Sequence, residues 1–359
     1  MASASVFGMY GVDTDWIFFL THGNQFRARL DQLGFTLGND TIKGTFGFDN
    51  NAGYGGVYGS LLSSAETTNK MYYDFNPSIS MGLGYTSSLI SVGVGYSVTL
   101  GPRVNKYNGK ADTKLVQQAA HTPVLVLNAM DNAFRMAIPI QVYALKDKTP
   151  TGDTSINAVS VDSQFRYYTG LDMLPQIRLY LRYGGGNFKG GDISGKIGES
   201  FGFDFRLYFG SMVEEVALQP YVKLVYNGAL GKYHDNIRVE AVKIMNGNNG
   251  ANTVPGNLQL AKSAWNLNLV AGLGLTANSD IVSLYLEPSL GLKVNQAGST
   301  DKNAKETYDL GYDVYAEIYI TPLKNLEWYF EASIGNVDTT TKGVAFAGTT
   351  GITWYLPAL

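Results

Sequence analysis

From one end of the chain to the other, apolar side chains recur at every second position, which is the period of a strand and not the 3.6 of a helix. Residues 201–209 are the plainest case: Phe201, Phe203, Phe205, Leu207 and Phe209 share one face, and Gly202, Asp204, Arg206 and Tyr208 the other. Residues 176–183 set Ile177, Leu179, Leu181 and Tyr183 against Gln176, Arg178, Tyr180 and Arg182. Residues 282–294 set Val282, Leu284, Leu286, Leu290 and Leu292 against Ser283, Tyr285, Glu287 and Lys293. A helix would scatter these charges around its whole circumference.

The alternation predicts strands over 6–20, 25–37, 41–49, 72–85, 88–100, 121–130, 132–146, 156–170, 175–184, 199–210, 215–227, 263–275, 280–294, 308–321, 326–336 and 343–356. That is sixteen, with fourteen to eighteen as the range, because 49–71 and 235–244 have room for further strand. Connections alternate in length. Short ones (38–40, 86–87, 131, 171–174, 211–214, 276–279, 322–325) separate longer ones (50–71, 101–120, 147–155, 185–198, 228–262, 295–307, 337–342). Short turns on one rim and long loops on the other, with an even strand number, mark a closed antiparallel transmembrane β-barrel. The Gly/Asn-rich stretches 184–191 and 245–250 read as flexible surface loops. No composition shift marks a boundary, so residues 1–359 form one domain.

Composition decides which solvent the apolar face meets. Charged residues are only 16% of the chain, against about a quarter in soluble domains. Lys gathers in turns and loops, while the polar face is built from Gly, Ser, Asn, Tyr and single charges. The segments run about 10–15 residues, longer than the roughly 5–6 of soluble strands and enough for a tilted bilayer span of about 9–11. Tyr10, Trp16, Tyr183, Tyr226, Trp265, Trp328 and Trp354 are candidates for interfacial girdles. A net charge of −3 gives no reason to expect a nucleic-acid partner. The absence of cysteine excludes disulfides and thiolate chemistry. Residues 1–15 carry no basic n-region or apolar h-region, so a secretory signal is expected to have been removed.

Over nearly its whole length the chain resembles the outer-membrane porin class, nearer the major-outer-sheath and major-outer-membrane porins than the enteric general porins. The last strand, with Val344, Ala345 and Phe346 and then Ile352, Thr353, Trp354, Tyr355 and Leu356, is similar to the terminal strand read by barrel-assembly machinery. It departs from that pattern in continuing through Pro357, Ala358 and Leu359. The resemblance implies a bacterial outer-membrane location, lipid as the surrounding partner and a homotrimer.

Strand parity turns the charges inward, because Arg on the lipid side at the midplane costs about 2–4 kcal/mol. The expected pore-lining residues are Arg27, Arg29, Arg135, Arg166, Arg178, Arg182, Arg206 and Lys223, and Glu287, Asp313, Glu317, Glu327 and Glu331. The basic members concentrate in 132–227 and the acidic ones in 280–336, which sets a transverse field across an aqueous lumen. In enteric porins the third long loop folds inward and is acidic. The corresponding loop here, 101–120, carries Arg103, Lys106, Lys110 and Lys114 against Asp112, and it is the candidate constriction with a modest anion preference.

Catalytic signals are weak. His22, His121 and His234 lie far apart without metal-ligand spacing, and Gly184–Gly186 lacks the Lys-Ser/Thr of a phosphate loop. The expectation is no enzyme, no cofactor and no metal: a pore for passive diffusion of ions and small hydrophilic solutes. A surface adhesin or receptor with long binding loops is the alternative.

Overall fold

The computed structural model describes residues 16–28, 32–50, 65–67, 70–72, 77–107, 113–149, 152–213, 216–247, 259–336 and 344–356. Sixteen staves follow one another: β1 (Gln25–Ala28), β2 (Gln32–Gly38), β3 (Ile42–Asn50), β4 (Pro77–Tyr85), β5 (Ile90–Tyr107), β6 (Thr113–Ala129), β7 (Phe134–Thr149) and β8 (Gly152–Leu171). They continue as β9 (Leu174–Gly190), β10 (Ile193–Tyr208), β11 (Val216–Ala229), β12 (Trp265–Asn278), β13 (Val282–Gln296), β14 (Thr307–Leu323), β15 (Leu326–Gly335) and β16 (Ala345–Leu356). Each pairs antiparallel with the next, and Ser211–Val213 prolongs the β10–β11 hairpin. β16 returns to β1 through Phe26↔Leu356, Arg27↔Tyr355 and Ala28↔Trp354, which closes the ring. A closed ring leaves no stave with an open edge, the condition for placing strands in hydrocarbon.

Burial is inside-out. Thr36, Ser78, Ser80, Ser97, Thr122, Gln164, Asp204 and Glu317 are buried, while Leu83, Val94, Phe201, Leu269, Leu290, Leu310 and Trp354 lie open on the outer wall. A soluble domain sorts its residues the other way, and an apolar surface this extensive requires a cover. Hydrocarbon supplies it. Across the inner wall, hydroxyls pair strand to strand: Thr36–Thr45 at 3.2 Å, Ser78–Thr99 at 2.8 Å and Ser80–Ser97 at 2.6 Å.

The stave count agrees with the sequence reading through two compensating differences. Of the expected strand over 6–20, residues 1–15 lie outside the described residues, and Trp16–Thr21 is a 3-10 helix inside the barrel. The expected strand over 25–37 is two strands, β1 and β2. Within 49–71 a hairpin forms between Ala65–Thr67 and Lys70–Tyr72, and within 235–244 a short helix begins, α1 (Ala241–Met245).

Several segments read as long loops are strand instead. β8 runs 20 residues and β9 runs 17, where about 9–11 cross a bilayer. These hairpins therefore stand beyond the membrane on the long-connection rim. Gly184–Gly190 is paired on both sides as part of β9 rather than forming a flexible loop. The expected constriction loop 101–120 is likewise a hairpin: Arg103 and Lys106 belong to β5, Lys114 to β6, and Lys106 faces Lys114 in register. Ladder hydrogen bonds along these staves satisfy the backbone without an inward fold. Lys110 lies outside the described residues, as do the side chains of Arg103, Lys106 and Lys114.

Candidate functional site

The lumen is filled on one side by two inserts. The lower insert is Trp16–Thr21, on the short-turn half of β4–β7. Trp16, Ile17, Phe19 and Leu20 are buried and pack with Val124, Val126 and Ala137. Its seat is cut by glycine. A β-carbon at Gly82 would lie 2.7 Å from the Trp16 ring, and β-carbons at Gly95 and Gly84 would overlap Trp16 and Leu20. Polar tethers hold the insert's far side: Arg135 donates to Thr21 Oγ1 at 3.2 Å, Lys43 donates to the His22 carbonyl, and Arg166 lies 4.5 Å above the Phe18 ring. Trp16 is thus a lumen residue and not an interfacial anchor; Tyr10 lies outside the described residues.

The upper insert comes from the long connection between β11 and β12. Val239, Ala241, Ile244 and Met245 pack on Ala120, Tyr143, Ala158 and Ile197. Inner-wall side chains cap its backbone: Val239 N–H donates to Ser200 Oγ at 2.7 Å, Ala241 N–H to Ser160 Oγ at 2.9 Å, and Gln118 donates to the Met245 carbonyl at 3.0 Å. A β-carbon at Gly186 would sit 2.6 Å from Ile244, and one at Gly198 would sit 2.9 Å from Val239. The glycines of β9 and β10 therefore serve a close approach, which sequence inspection read as flexibility.

His234 anchors this insert's start and is buried. Its Nε2 lies 3.0 Å from the Glu199 N–H and 3.1 Å from the Leu230 carbonyl. Burial pushes the His234 pKa down, against the opposing pull of the Leu230 carbonyl and the Asp235 and Glu199 carboxylates and with a small push from Lys196. Seating therefore favours the neutral imidazole relative to a released loop, whose histidine has the ordinary value near 6.5. Seating is fully favoured above that value and weakens as pH falls below it, because the released state takes up the proton. Hydrogen exchange at 236–247, corrected for intrinsic rates, is expected to rise between about pH 7 and about pH 5.5. His234→Gln should abolish that pH step.

On the opposite side the lumen stays open. A cavity of about 340 Å³ is lined by Tyr221, Lys223, Glu287, Asp313, Tyr315 and Glu331, with small residues between them. A second space of about 90 Å³ adjoins it between Arg178, Arg206, Tyr208, Gln219, Tyr221, Lys223, Tyr285 and Glu287. Glu287 accepts from Tyr221 at 2.8 Å and from Tyr285, Glu327 accepts from Tyr355 at 3.1 Å, and Asp313 accepts from Ser333 at 3.2 Å. Glu317 accepts from Tyr315 and faces Glu331 in register.

The basic residues form a row. Arg135 faces Arg166, Arg166 faces Arg178, Arg178 faces Arg206, and Arg206 faces Lys223 in unbroken register over β7–β11. Arg182 stands apart, paired with Asp162 at 3.0 Å, and Arg238 joins it at 3.3 Å. Arg27 is opposite Tyr355 by backbone register; its side chain, and all of Arg29, lie outside the described residues. The inner tyrosines (Tyr180, Tyr208, Tyr221, Tyr285, Tyr315) escaped selection because strand parity weighted charge alone. Their alternation with Arg and Glu on one face was the available signal. No group of residues suited to a metal occurs among the described residues.

A family model described as Serpulina hyodysenteriae variable surface protein matches residues 1–355. The chain belongs to that family. No curated protein matches it. Among solved structures it is similar to in-vitro folded OmpT, an outer membrane protein of Vibrio cholerae, at 9% identity and a TM-score of 0.37 over 93% of this chain and 97% of that one. It is also similar to the translocator domain of the autotransporter NalP from Neisseria meningitidis, at 12% identity and 0.31 over 92% and 86%. These likenesses are loose, and the barrel assignment rests on the ring of pairings itself. A sealed barrel with an oily outer wall, in a family of bacterial surface proteins, is an outer-membrane β-barrel.

Proposed function

We propose that this protein is a narrow outer-membrane pore for passive diffusion of ions and small hydrophilic solutes, without catalysis, cofactor or energy coupling. The observation that carries the reading is the space of about 340 Å³ left along β11–β16 after both inserts are seated, with Lys223, Glu287, Asp313 and Glu331 in its lining. Charged and hydroxyl side chains line it, so water and hydrated solutes are its natural contents. Purified protein in planar bilayers is expected to give small, stepwise conductance. Arg178→Glu with Arg182→Glu should shift the reversal potential toward cation preference; unchanged selectivity would remove these residues from the permeation path.

The family's description as a surface protein favours a second reading, a receptor or adhesin using the hairpins beyond the membrane. Against it, residues 239–245 of the longest connection, 228–262, pack into the lumen instead of projecting outward. Absence of conductance from protein with heat-modifiable migration would favour the receptor.

A further inference from the structure

We infer that the row Arg135–Arg166–Arg178–Arg206–Lys223 is a binding stair for small oxyanions, with its principal site in the 90 Å³ space beside Arg178, Arg206 and Lys223. Taken as the substrate class of the pore, this rests on the reading above; taken as binding, it stands alone. The row contains four direct cross-strand contacts between like charges, an arrangement that disfavours a sheet unless something neutralises it. Protein carboxylates neutralise it only in part. Asp204 is taken up by Arg206 in a two-pronged pair at 2.8 and 2.6 Å. Among the described residues, Arg135, Arg166, Arg178 and Lys223 form no ion pair.

Aromatic rings supply part of the remainder: Arg135 lies 4.6 Å over Tyr168, Arg178 4.4 Å over Tyr208 and Arg206 4.8 Å over Tyr180. Ring stacking leaves the edges of the guanidinium groups free to donate. Arg178 spends one donor on Gln176 at 2.8 Å and keeps the others, and a guanidinium fork matches the oxygen spacing of carboxylate or phosphate. The space of about 90 Å³ is large enough for a compact oxyanion. The row climbs from Arg135, next to the first residue of β7, to Lys223 in the middle of β11. The lower insert covers its foot, where Phe18 and Thr21 meet Arg135 and Arg166.

The test uses the folded full-length protein in detergent, titrated with inorganic phosphate against chloride by calorimetry and thermal shift. Phosphate is expected to bind and to raise the melting temperature, with chloride far weaker. Arg178→Gln with Lys223→Gln should weaken phosphate binding at least tenfold while leaving heat-modifiable migration intact. Arg238→Gln, outside the row, should leave it unchanged. No phosphate binding by the wild-type protein, or equal binding by the double variant, overturns the site. Conductance without phosphate binding defeats the stair and spares the pore. Phosphate binding without conductance defeats the pore and spares the stair.

Discussion

Replacing Gly82 and Gly95 by valine is expected to drive Trp16 from its seat and widen the lumen. The indole occupies the space that side chains at these two positions require, so insert and branched side chains cannot coexist. The insert yields before the barrel. Burying its four large apolar side chains contributes about 1.5–3 kcal/mol each, while fixing its six residues costs about 1–2 kcal/mol of backbone entropy each. The two sums nearly cancel, and overpacking adds about 1–3 kcal/mol per site. The barrel, held by ladders on every stave, bears none of that cost once the segment leaves. With Trp265, Trp328 and Trp354 replaced by phenylalanine, Trp16 is the sole tryptophan, and its fluorescence should become open to iodide quenching in the valine variant. Trp16→Ala should raise conductance by the same release. Unchanged quenching would show that the glycine seat does not hold the insert.

The second large effect tests the outer wall. Val94 and Leu269 are 62% and 49% exposed on the lipid-facing side of β5 and β12. Arginine at each is expected to cost about 2–4 kcal/mol near the bilayer midplane. The double variant Val94→Arg, Leu269→Arg should therefore fold poorly into vesicles, with its urea midpoint sharply lowered. Ser289→Arg, which points a cation into the open cavity, should fold normally. If the outer pair is tolerated and Ser289→Arg is not, the barrel has been turned inside out.

The site was only partly legible in the sequence. Arg178 and Arg206 could be assigned to the face opposite Phe203 and Phe205 from parity alone. That they stand beside Arg166 and Lys223 in one row depends on register, which no single strand contains. Gly184–Gly186 looked like a loop because glycine was read for flexibility, when its role is to admit Val239 and Ile244.

What the chain's own order determined is the face of the staves and the closed barrel, because the period of two is written between neighbours and hydrocarbon tolerates only one assignment of it. Only tertiary structure decided what fills the barrel. Trp16–Leu20 is oily enough for lipid, and residues 239–245 are ordinary enough for a surface loop. Their fate depends on glycines at Gly82, Gly95, Gly186 and Gly198, far away in sequence, whose missing side chains leave room that is visible only once the strands stand side by side.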